Sequence, residues 1–319
     1  MFAIGGLNQL WIYAVLVLME ITFSFDNAVV NSRILVKLNP LWQMLFLTVG
    51  IFFAVFIVRF LLPILIVMIT AGLDGGQVVN LALNNPAEYS RDLLHAEPLI
   101  NAFGGTFLVM IGLYYFADRE KDIHWLHRLE HALSRVGEVR FIKLFIMLLV
   151  SLLLYSTVDP RLQNAVVIAS LLGIALHVGL DSVSLLFDRQ NDKRAKVKQQ
   201  VGLAAFGSFM YLQVLDASFS FDGVIGAFAI TTSVLLIMAG LGAGALCVRS
   251  LTVYMVRSGT LAKYRYLEHG AHWAILALGV VMLVKLYHVE LPEWLTGSLG
   301  LVFIVTALVT SIFEKRHQR

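Results

Sequence analysis

Long apolar runs dominate this sequence and limit what it can fold into. A helix needs about 20 apolar residues to cross the hydrocarbon core of a bilayer. Hydrophobic residues make up 59% of the chain and charged residues 14%, which is well below the roughly 25% charged residues of soluble proteins. We therefore predict an all-α integral membrane protein with about nine transmembrane helices. The predicted spans are 8–30, 42–69, 99–117, 141–158, 162–187, 203–230, 234–256, 269–288 and 294–313.

Basic residues are distributed unevenly between the loops that join these spans. With nine spans, alternate loops lie on opposite sides, and 19 of the 24 Lys and Arg residues fall on one side. Only Arg91 and Arg161 fall on the other side. Since cytoplasmic loops carry the excess of Lys and Arg, we predict a multi-pass protein of the cell (inner) membrane, with its N-terminus outside and its C-terminus in the cytoplasm. The net charge of +3 gives no reason to expect a nucleic-acid partner.

Two stretches place acids inside the apolar spans, and they align with each other. EITFSFDNAVV begins at Glu20, and DASFSFDGVIG begins at Asp216. Without a gap, Glu20 matches Asp216 and Asp26 matches Asp222, and the letters FSFD are identical in both. We name these segments the first and the second acidic stretch. The match indicates an internal repeat.

A second pair of segments follows in the same order. GIFFAVFIVR ends at Arg59 and GLGAGALCVR ends at Arg249. Spans one to three therefore match spans six to eight. Because span six comes five spans after span one, the two copies point in opposite directions across the membrane. Such inverted three-helix repeats are typical of secondary transporters, whose site lies where the halves meet. We predict four regions: a first repeat 1–118; a cytoplasmic amphipathic segment, a two-helix insert and a basic loop 119–200; a second repeat 201–290; and a final span with a cytoplasmic tail 291–319.

The acids of these stretches need compensation inside a bilayer. An ionised Asp near the bilayer centre costs about 2.5 to 3.5 kcal/mol, so each acid must be protonated, paired or facing a polar cavity. On a regular helix, Glu20 and Asp26 would not share a face, because six residues turn through about 600°. We therefore expect the helix to break around Ser24, with half-helix ends forming an ion site, unless the site spans several helices. Buried ion pairs that only hold the bundle together are the alternative, and their partners would be Arg59, Arg249 or Lys285.

Oxygen atoms dominate the side chains around the acids. Oxygen sites without thiolates suit Mg²⁺, Ca²⁺ or Mn²⁺ better than Cu⁺ or Zn²⁺. We expect a divalent metal as a substrate and no permanently bound cofactor. The predicted metal ligands are Glu20, Ser24, Asp26, Asn27, Asp216, Ser220 and Asp222.

Four further residues are predicted to support this site. Arg59 and Arg249 occupy matched positions and are predicted countercharges to the acids, with snorkelling to the lipid headgroups as the alternative. His177 and Asp181 lie four residues apart in span five. They could relay protons, or they could form a helix-packing pair.

The predicted cytoplasmic segment DREKDIHWLHRLEHALSRV contains three histidines. His124, His127 and His131 share one helical face, and histidines four residues apart can chelate a transition metal. We favour an amphipathic helix at the membrane interface instead. It would turn four apolar side chains toward lipid: Trp125, Leu126, Leu129 and Leu133.

The acidic stretches resemble those of the TerC integral membrane family. Its members carry an acid and S-x-D-N in an early span and D-x-x-F-S-x-D-S in a later one. Here Glu20 precedes SFDN, the later stretch reads DASFSFDG, and AGLGAGALCVRSLTVY follows it. Gln213 stands where the family often has Glu, and Gly223 where it often has Ser. The resemblance covers spans one to three and six to eight, and the extra two spans indicate a divergent branch. It implies efflux of a divalent metal, chiefly manganese, with a further link to tellurite resistance.

We therefore expect a transporter that exports divalent cations, with Mn²⁺ preferred. Moving a 2+ ion out of a cell against 100 mV costs about 4.6 kcal/mol, so export needs an energy source. Proton antiport would supply it, if Asp26 and Asp222 bind the ion when ionised and release it on taking up protons.

Two other classes of function can be compared with the sequence, a membrane scaffold and an enzyme. The chain could be a membrane scaffold or tellurite stress-resistance protein that recruits cytoplasmic partners through its basic loops, and it could form a homo-oligomer. An enzyme is not expected, because the G-x-G-D motif of intramembrane aspartyl proteases is absent.

Overall fold

The computed structural model describes residues 2–118, 123–137, 139, 141–188, 200–289 and 291–317. Within these ranges, side chains are left out at 2–5, 136, 183–188, 221–222, 293–297 and 317. The described residues form helices and contain no β-strand. The all-α class predicted from the sequence is therefore confirmed.

The apolar runs of the sequence are helical, and shorter helices lie between some of them. In chain order they are α1 (Phe2–Phe23), α2 (Phe25–Leu35), α3 (Pro40–Leu47), α4 (Val49–Phe52), a π-helical segment (Phe53–Leu61), α5 (Leu62–Ala71), α6 (Gly75–Asn84), α7 (Pro86–His95), α8 (Glu97–Phe116), α9 (His127–Val136), α10 (Ile142–Thr157), α11 (Gln163–Asp188), α12 (Gly202–Ile230), α13 (Val234–Arg257), α14 (Thr260–Lys263), α15 (Leu267–Lys285) and α16 (Glu293–His317).

Eight helical stretches among the described residues are long and apolar enough to cross a membrane. They lie in α1, in the helical stretch from Pro40 to Ala71 (α3 to α5), and in α8, α11, α12, α13, α15 and α16. The run predicted at 141–158 forms α10, which is apolar but has only 16 residues. The chain is thus a multi-pass membrane protein in its composition and helix lengths, while the ninth span and the membrane orientation stay predictions.

The two predicted repeats pack against each other through their first and second spans. α1 and α2 pack against α13, and α12 packs against the π-helical segment. Each first span therefore contacts the second span of the other half. α8 and α15, the third spans, pack against each other, with α11 beside α8 and α16 beside α15. This arrangement is compatible with the inverted repeat, which stays a prediction.

Two short helices occupy the region between predicted spans two and three. α6 begins with a capping box, in which the Gln77 N–H donates to Asp74 Oδ1 over 2.9 Å and the Asp74 N–H donates to Gln77 Oε1 over 3.0 Å. α7 begins at Pro86, a position where the missing N–H of proline costs nothing. Both start signals are readable in the sequence, but a search for runs of about 20 apolar residues passes over helices of 10 residues.

Candidate functional site

The first acidic stretch interrupts its helix at a single residue. α1 ends at Phe23, α2 begins at Phe25, and Ser24 between them has φ −106° and ψ 15°. The Ser24 N–H still donates to the Glu20 carbonyl over 3.0 Å, so the chain is bent here without being unwound. The expected break is therefore present but confined to one residue. α12 runs without a break through the second acidic stretch.

Glu20, Ser24 and Asp26 line one small cavity, which we name the acid pocket. Its volume is about 30 Å³, which is close to the share of one water molecule in the liquid. The remaining walls come from α1, α12, α15 and α16: Met19, Phe23, Phe219, Gly223, Ala274, Leu278 and Gly300. The two acids that a regular helix would separate therefore border the same space.

Two glycines bring neighbouring helices close to these acids. A Cβ added at Gly300 would lie 3.3 Å from Asp26 Oδ2, and one at Gly223 would lie 3.5 Å from Glu20 Oε2. Gly300 was not among the predicted site residues, because the last span lies outside both predicted repeats. The small residues of TGSLG at the start of α16 were the available signal.

Glu20 is buried and has a cationic partner. It forms an ion pair with Arg59 Nη2, and it accepts a hydrogen bond from Ser24 Oγ over 3.1 Å. Arg59 Nη2 also donates to Ser220 Oγ over 3.0 Å, and Arg59 Nη1 donates to the Ala54 carbonyl over 3.0 Å. One buried guanidinium therefore compensates Glu20 and ties it to the second acidic stretch.

Asp216 makes a similar ion pair in the second half. Arg249 Nη2 donates to Asp216 Oδ2 over 2.6 Å and to Gln213 Oε1 over 3.1 Å. Arg249 Nη1 donates to the Phe46 carbonyl over 3.0 Å. At Gly50 an added Cβ would overlap Arg249 Nη1, so only glycine leaves room for this guanidinium. Asp216 is thus held by its own cluster and does not line the acid pocket.

The two arginines are buried inside the bundle. Arg59 is 3% exposed and Arg249 is 1% exposed, so neither snorkels to the headgroups. For Glu20 and Asp216, the alternative of buried ion pairs describes the contacts in this structure. Removing one partner of such a pair leaves an uncompensated buried charge and costs about 3 to 5 kcal/mol.

Asp26 differs from these two acids. It is 5% exposed, and its Oδ1 accepts the Asn27 N–H over 3.0 Å. Across the part of the chain that the structure describes, no Lys, Arg or His forms an ion pair with Asp26. Apart from this N–H, a carboxylate in this position needs a proton or a cation to compensate its charge. Asp26 is therefore the group in the acid pocket that is chemically free to act.

Two asparagines on α2 are also buried without full hydrogen bonding. The Oδ1 atoms of Asn27 and Asn31 have no partner among the described residues, and both side chains are 1% exposed. A buried polar group left unsatisfied costs about 1 to 3 kcal/mol. Asn27, a predicted ligand, lies next to Asp26 but does not line the acid pocket. Asp222, another predicted ligand, belongs to α12, and its side chain lies outside the described residues.

A larger cavity of about 610 Å³ opens beside the acid pocket, and we name it the large vestibule. It lies at the end of the bundle that carries the segments 94–98 and 285–289. It shares Met19, Phe23 and Gly223 with the acid pocket. The polar residues of its lining are His95, Glu97, Asn101, Lys285 and His288. The acid pocket is therefore one residue layer away from a wide opening.

A third cavity of about 260 Å³, which we name the second vestibule, contains the predicted relay pair. His177 and Asp181 both line it. The ring of His177 is edge-on to Tyr114, with centroids 4.7 Å apart, and neither ring nitrogen has a hydrogen-bond partner in the described residues. The second vestibule shares no lining residue with the acid pocket. The pair is therefore brought together, but at a separate place from the acids.

The three histidines of the predicted cytoplasmic segment form a cluster. The ring centroids of His124, His127 and His131 are 5.9 to 6.1 Å apart. Even so, the described residues contain no group of three or more His, Cys, Asp or Glu side chains that could hold a metal ion. Chelation by this cluster thus has no support from the geometry.

Glu130 anchors α9 to the bundle, which the sequence analysis did not anticipate. The carboxylate is fully buried and accepts the Trp125 N–H over 3.1 Å and Trp273 Nε1–H over 3.1 Å. It also lies 2.9 Å from His269 Nδ1. In the sequence, the available signal was an acid, Glu130, within the predicted amphipathic helix. α9 is thus held to α15 by a polar contact in addition to any contact with lipid.

The helices and the acid pocket define a multi-pass helical membrane protein with buried ionisable groups. The chain belongs to the family described as "Protein of unknown function (DUF475)", which matches residues 25–318. This range contains Asp26, both arginines and the whole second acidic stretch. No curated protein and no solved structure matches the chain.

Proposed function

We propose that this protein exports a hard divalent cation, with Mn²⁺ as the preferred substrate, through the acid pocket and in exchange for protons. The observation that carries the proposal is Asp26, a buried carboxyl group without a cationic partner in the described residues. It borders a cavity that adjoins a wide opening at one end of the bundle. The resemblance of the acidic stretches to the TerC family supports the same proposal.

The donor atoms of the acid pocket suit a hard cation. Ions such as Mg²⁺ are bound through one or two carboxylates and keep several of their waters, so the acid pocket of about 30 Å³ would have to widen toward the large vestibule to hold the ion with them. Asp26 would supply one carboxylate, and Ser24 Oγ lies in the same pocket. Such a small ligand set gives weak binding, which lets a transporter release its ion at the far side. The divalent ion is the substrate of this site and not a resident cofactor.

Arg59 gives the site a way to respond to the ion. In this structure its guanidinium neutralises Glu20. A dication next to Glu20 would repel Arg59, whose second acceptor Ser220 lies on α12. Shifting Arg59 toward Ser220 would free Glu20 as a second carboxylate ligand.

Proton exchange supplies the driving force. We place the large vestibule on the outside, following the distribution of Lys and Arg between the loops. A proton reaching Asp26 from that side removes the charge that binds the ion. Exchange of two protons for one dication moves no net charge, so the membrane potential would not oppose export. Asp26 and, by its position in the second acidic stretch, Asp222 are the two proposed proton carriers.

The metal content of cells tests this function. Cells that produce the wild-type chain should accumulate less Mn²⁺ from a Mn²⁺-rich medium than cells without it. Asp26→Asn should abolish the difference, while Asp92→Asn should retain it, because Asp92 lines none of the three cavities. A scaffold would leave the metal content unchanged. Wild-type export by the Asp26→Asn variant would refute the proposal.

A further inference from the structure

We infer that the second vestibule is the other mouth of the transport pathway, and that an apolar plug containing Val30 and Ile111 closes it off from the acid pocket. The inference rests on the proposed transport function and adds to it the route of the ion and the residues that block it. It follows from how the two cavities are arranged along α2.

One face of α2 connects the two cavities. Asp26 lines the acid pocket, while Val30, Arg33 and Lys37 line the second vestibule. The spacings of four and seven residues place Asp26, Val30 and Arg33 on the same face of α2, and Lys37 follows just after the end of this helix. Asp26 and Val30 are therefore only about 6 Å apart along the helix axis. The barrier between the acid pocket and the second vestibule is about one helical turn thick.

The material of this barrier is apolar. Val30 is 3% exposed and Ile111 is 5% exposed, and both belong to a single cluster of buried apolar residues. Phe219 belongs to the same cluster and also lines the acid pocket. One continuous apolar layer thus borders the acid pocket on one side and the second vestibule on the other. Apolar constrictions of this kind stop ions by excluding water.

The far side of the barrier is polar. The second vestibule is lined by His177, Asp181, Ser208 and Tyr211. His177 is 3% exposed, and neither of its ring nitrogens has a partner in the described residues. At about 260 Å³ the cavity has room for several waters that would satisfy them. We therefore assign water to the second vestibule as far as the plug.

The two mouths differ in how they are closed. The acid pocket and the large vestibule lie side by side, because Met19, Phe23 and Gly223 line both of them. The acid pocket and the second vestibule share no lining residue, and the plug lies between them. The structure thus corresponds to a state in which the acid pocket is reached from the large vestibule. Export requires the opposite state as well, in which Val30 and Ile111 move apart.

A double substitution tests the plug without any metal. Proteoliposomes containing Val30→Ala/Ile111→Ala should lose an imposed pH gradient about tenfold faster than wild type, equivalent to roughly 1.4 kcal/mol at the barrier. Val29→Ala is the matched control, because Val29 is buried in the same cluster but lines none of the three cavities. It should leak like wild type. A double variant that elutes as a folded protein and leaks no faster than Val29→Ala would overturn the inference.

A second measurement tests the position of the two mouths. In a Cys247→Ser background, Ala204→Cys lies in the second vestibule and Gly223→Cys lies between the acid pocket and the large vestibule. A membrane-impermeant thiol reagent should reach these two cysteines from opposite sides. Labelling of both from the same side would overturn the inference.

These results are separable from the proposed function. If the double variant leaks protons but the wild-type chain carries no Mn²⁺, the plug stands and the proposed substrate is refuted. If the wild-type chain carries Mn²⁺ and the double variant stays tight, the substrate stands and the plug is refuted.

Discussion

Arg59 Nη2 donates to Ser220 Oγ over 3.0 Å while it pairs with Glu20, so one guanidinium joins the two acidic stretches. The contact links α1 to α12, which belong to different predicted repeats. The ion pair of Arg249 with Asp216 lies within the second half and reaches the first half through the Phe46 carbonyl. Both halves thus contain a buried arginine, but only Arg59 pairs with an acid of the pocket, Glu20.

Replacing Arg59 by Gln should destabilise the protein strongly, because Glu20 would remain as an unpaired buried carboxylate. We expect a loss of about 3 to 5 kcal/mol. Adding Glu20→Gln should restore much of the lost stability, since the double variant buries no charge here. Thermal unfolding of the detergent-purified proteins measures the stability of the single and the double variant relative to wild type. Additive losses in the double variant would show that the pair does not act as a unit.

Gly244→Ala should disturb the position of Glu20. An added Cβ would lie 2.5 Å from Glu20 Cβ and 3.0 Å from the Val17 carbonyl, so α1 would have to move away from α13. Overpacking of this kind costs about 1 to 3 kcal/mol, and Mn²⁺ transport should fall with it. Gly179→Ala is the control, because nothing lies within 4 Å of its Cβ. Equal melting temperatures for both variants would contradict the packing described for α1.

Mn²⁺ should raise the thermal stability of the purified wild-type protein. A ligand that binds only the folded state at 100 times its Kd adds about 2.7 kcal/mol. Asp26→Asn should abolish this effect. The same variant should be at least as stable as wild type without metal, since it removes an unpaired buried carboxyl group. Stabilisation by Mn²⁺ that survives in Asp26→Asn would place the ion elsewhere.

Glu130→Gln should loosen α9 from the bundle. The neutral amide cannot match the charge-assisted hydrogen bonds that Glu130 accepts from Trp273 Nε1 and the Trp125 N–H. Faster hydrogen exchange in α9 is expected, together with faster proteolysis at its ends. The control is Glu314→Gln, which removes an exposed contact with Arg265 and should change little. Unchanged protection of α9 would show that apolar contacts alone hold it.

Some of this architecture was readable from the sequence, because membrane spans depend on local composition. Each predicted apolar run is helical, although the first two are divided into several helical segments. The acidic stretches pointed to Glu20 and Asp26 as buried groups. The partner of each acid was not readable. Glu20 and Arg59 are 39 residues apart in the sequence. From the sequence, the same acids could be members of buried ion pairs or ligands of a metal site. Only packing shows that Arg59 reaches Glu20 while Asp26 stays unpaired in the described part of the chain.

Other parts of the site depend on contacts that no local pattern reveals. Gly300 closes the acid pocket from a span outside both predicted repeats. His177 and Asp181 were visible as a polar stripe, but the cavity they line is formed with α2, α8, α12 and α15. A stripe shows which residues share a helix face; the packed helices decide what that face borders.

Uptake of Mn²⁺ by proteoliposomes under an imposed pH gradient tests the central claim most directly. With an acidic lumen, wild-type protein should drive Mn²⁺ inward as protons leave, and uptake should slow when the gradient is removed. Asp26→Asn should show neither uptake nor gradient dependence. Uptake that ignores the gradient, or that proceeds equally in Asp26→Asn, would contradict a proton-coupled metal site at Asp26.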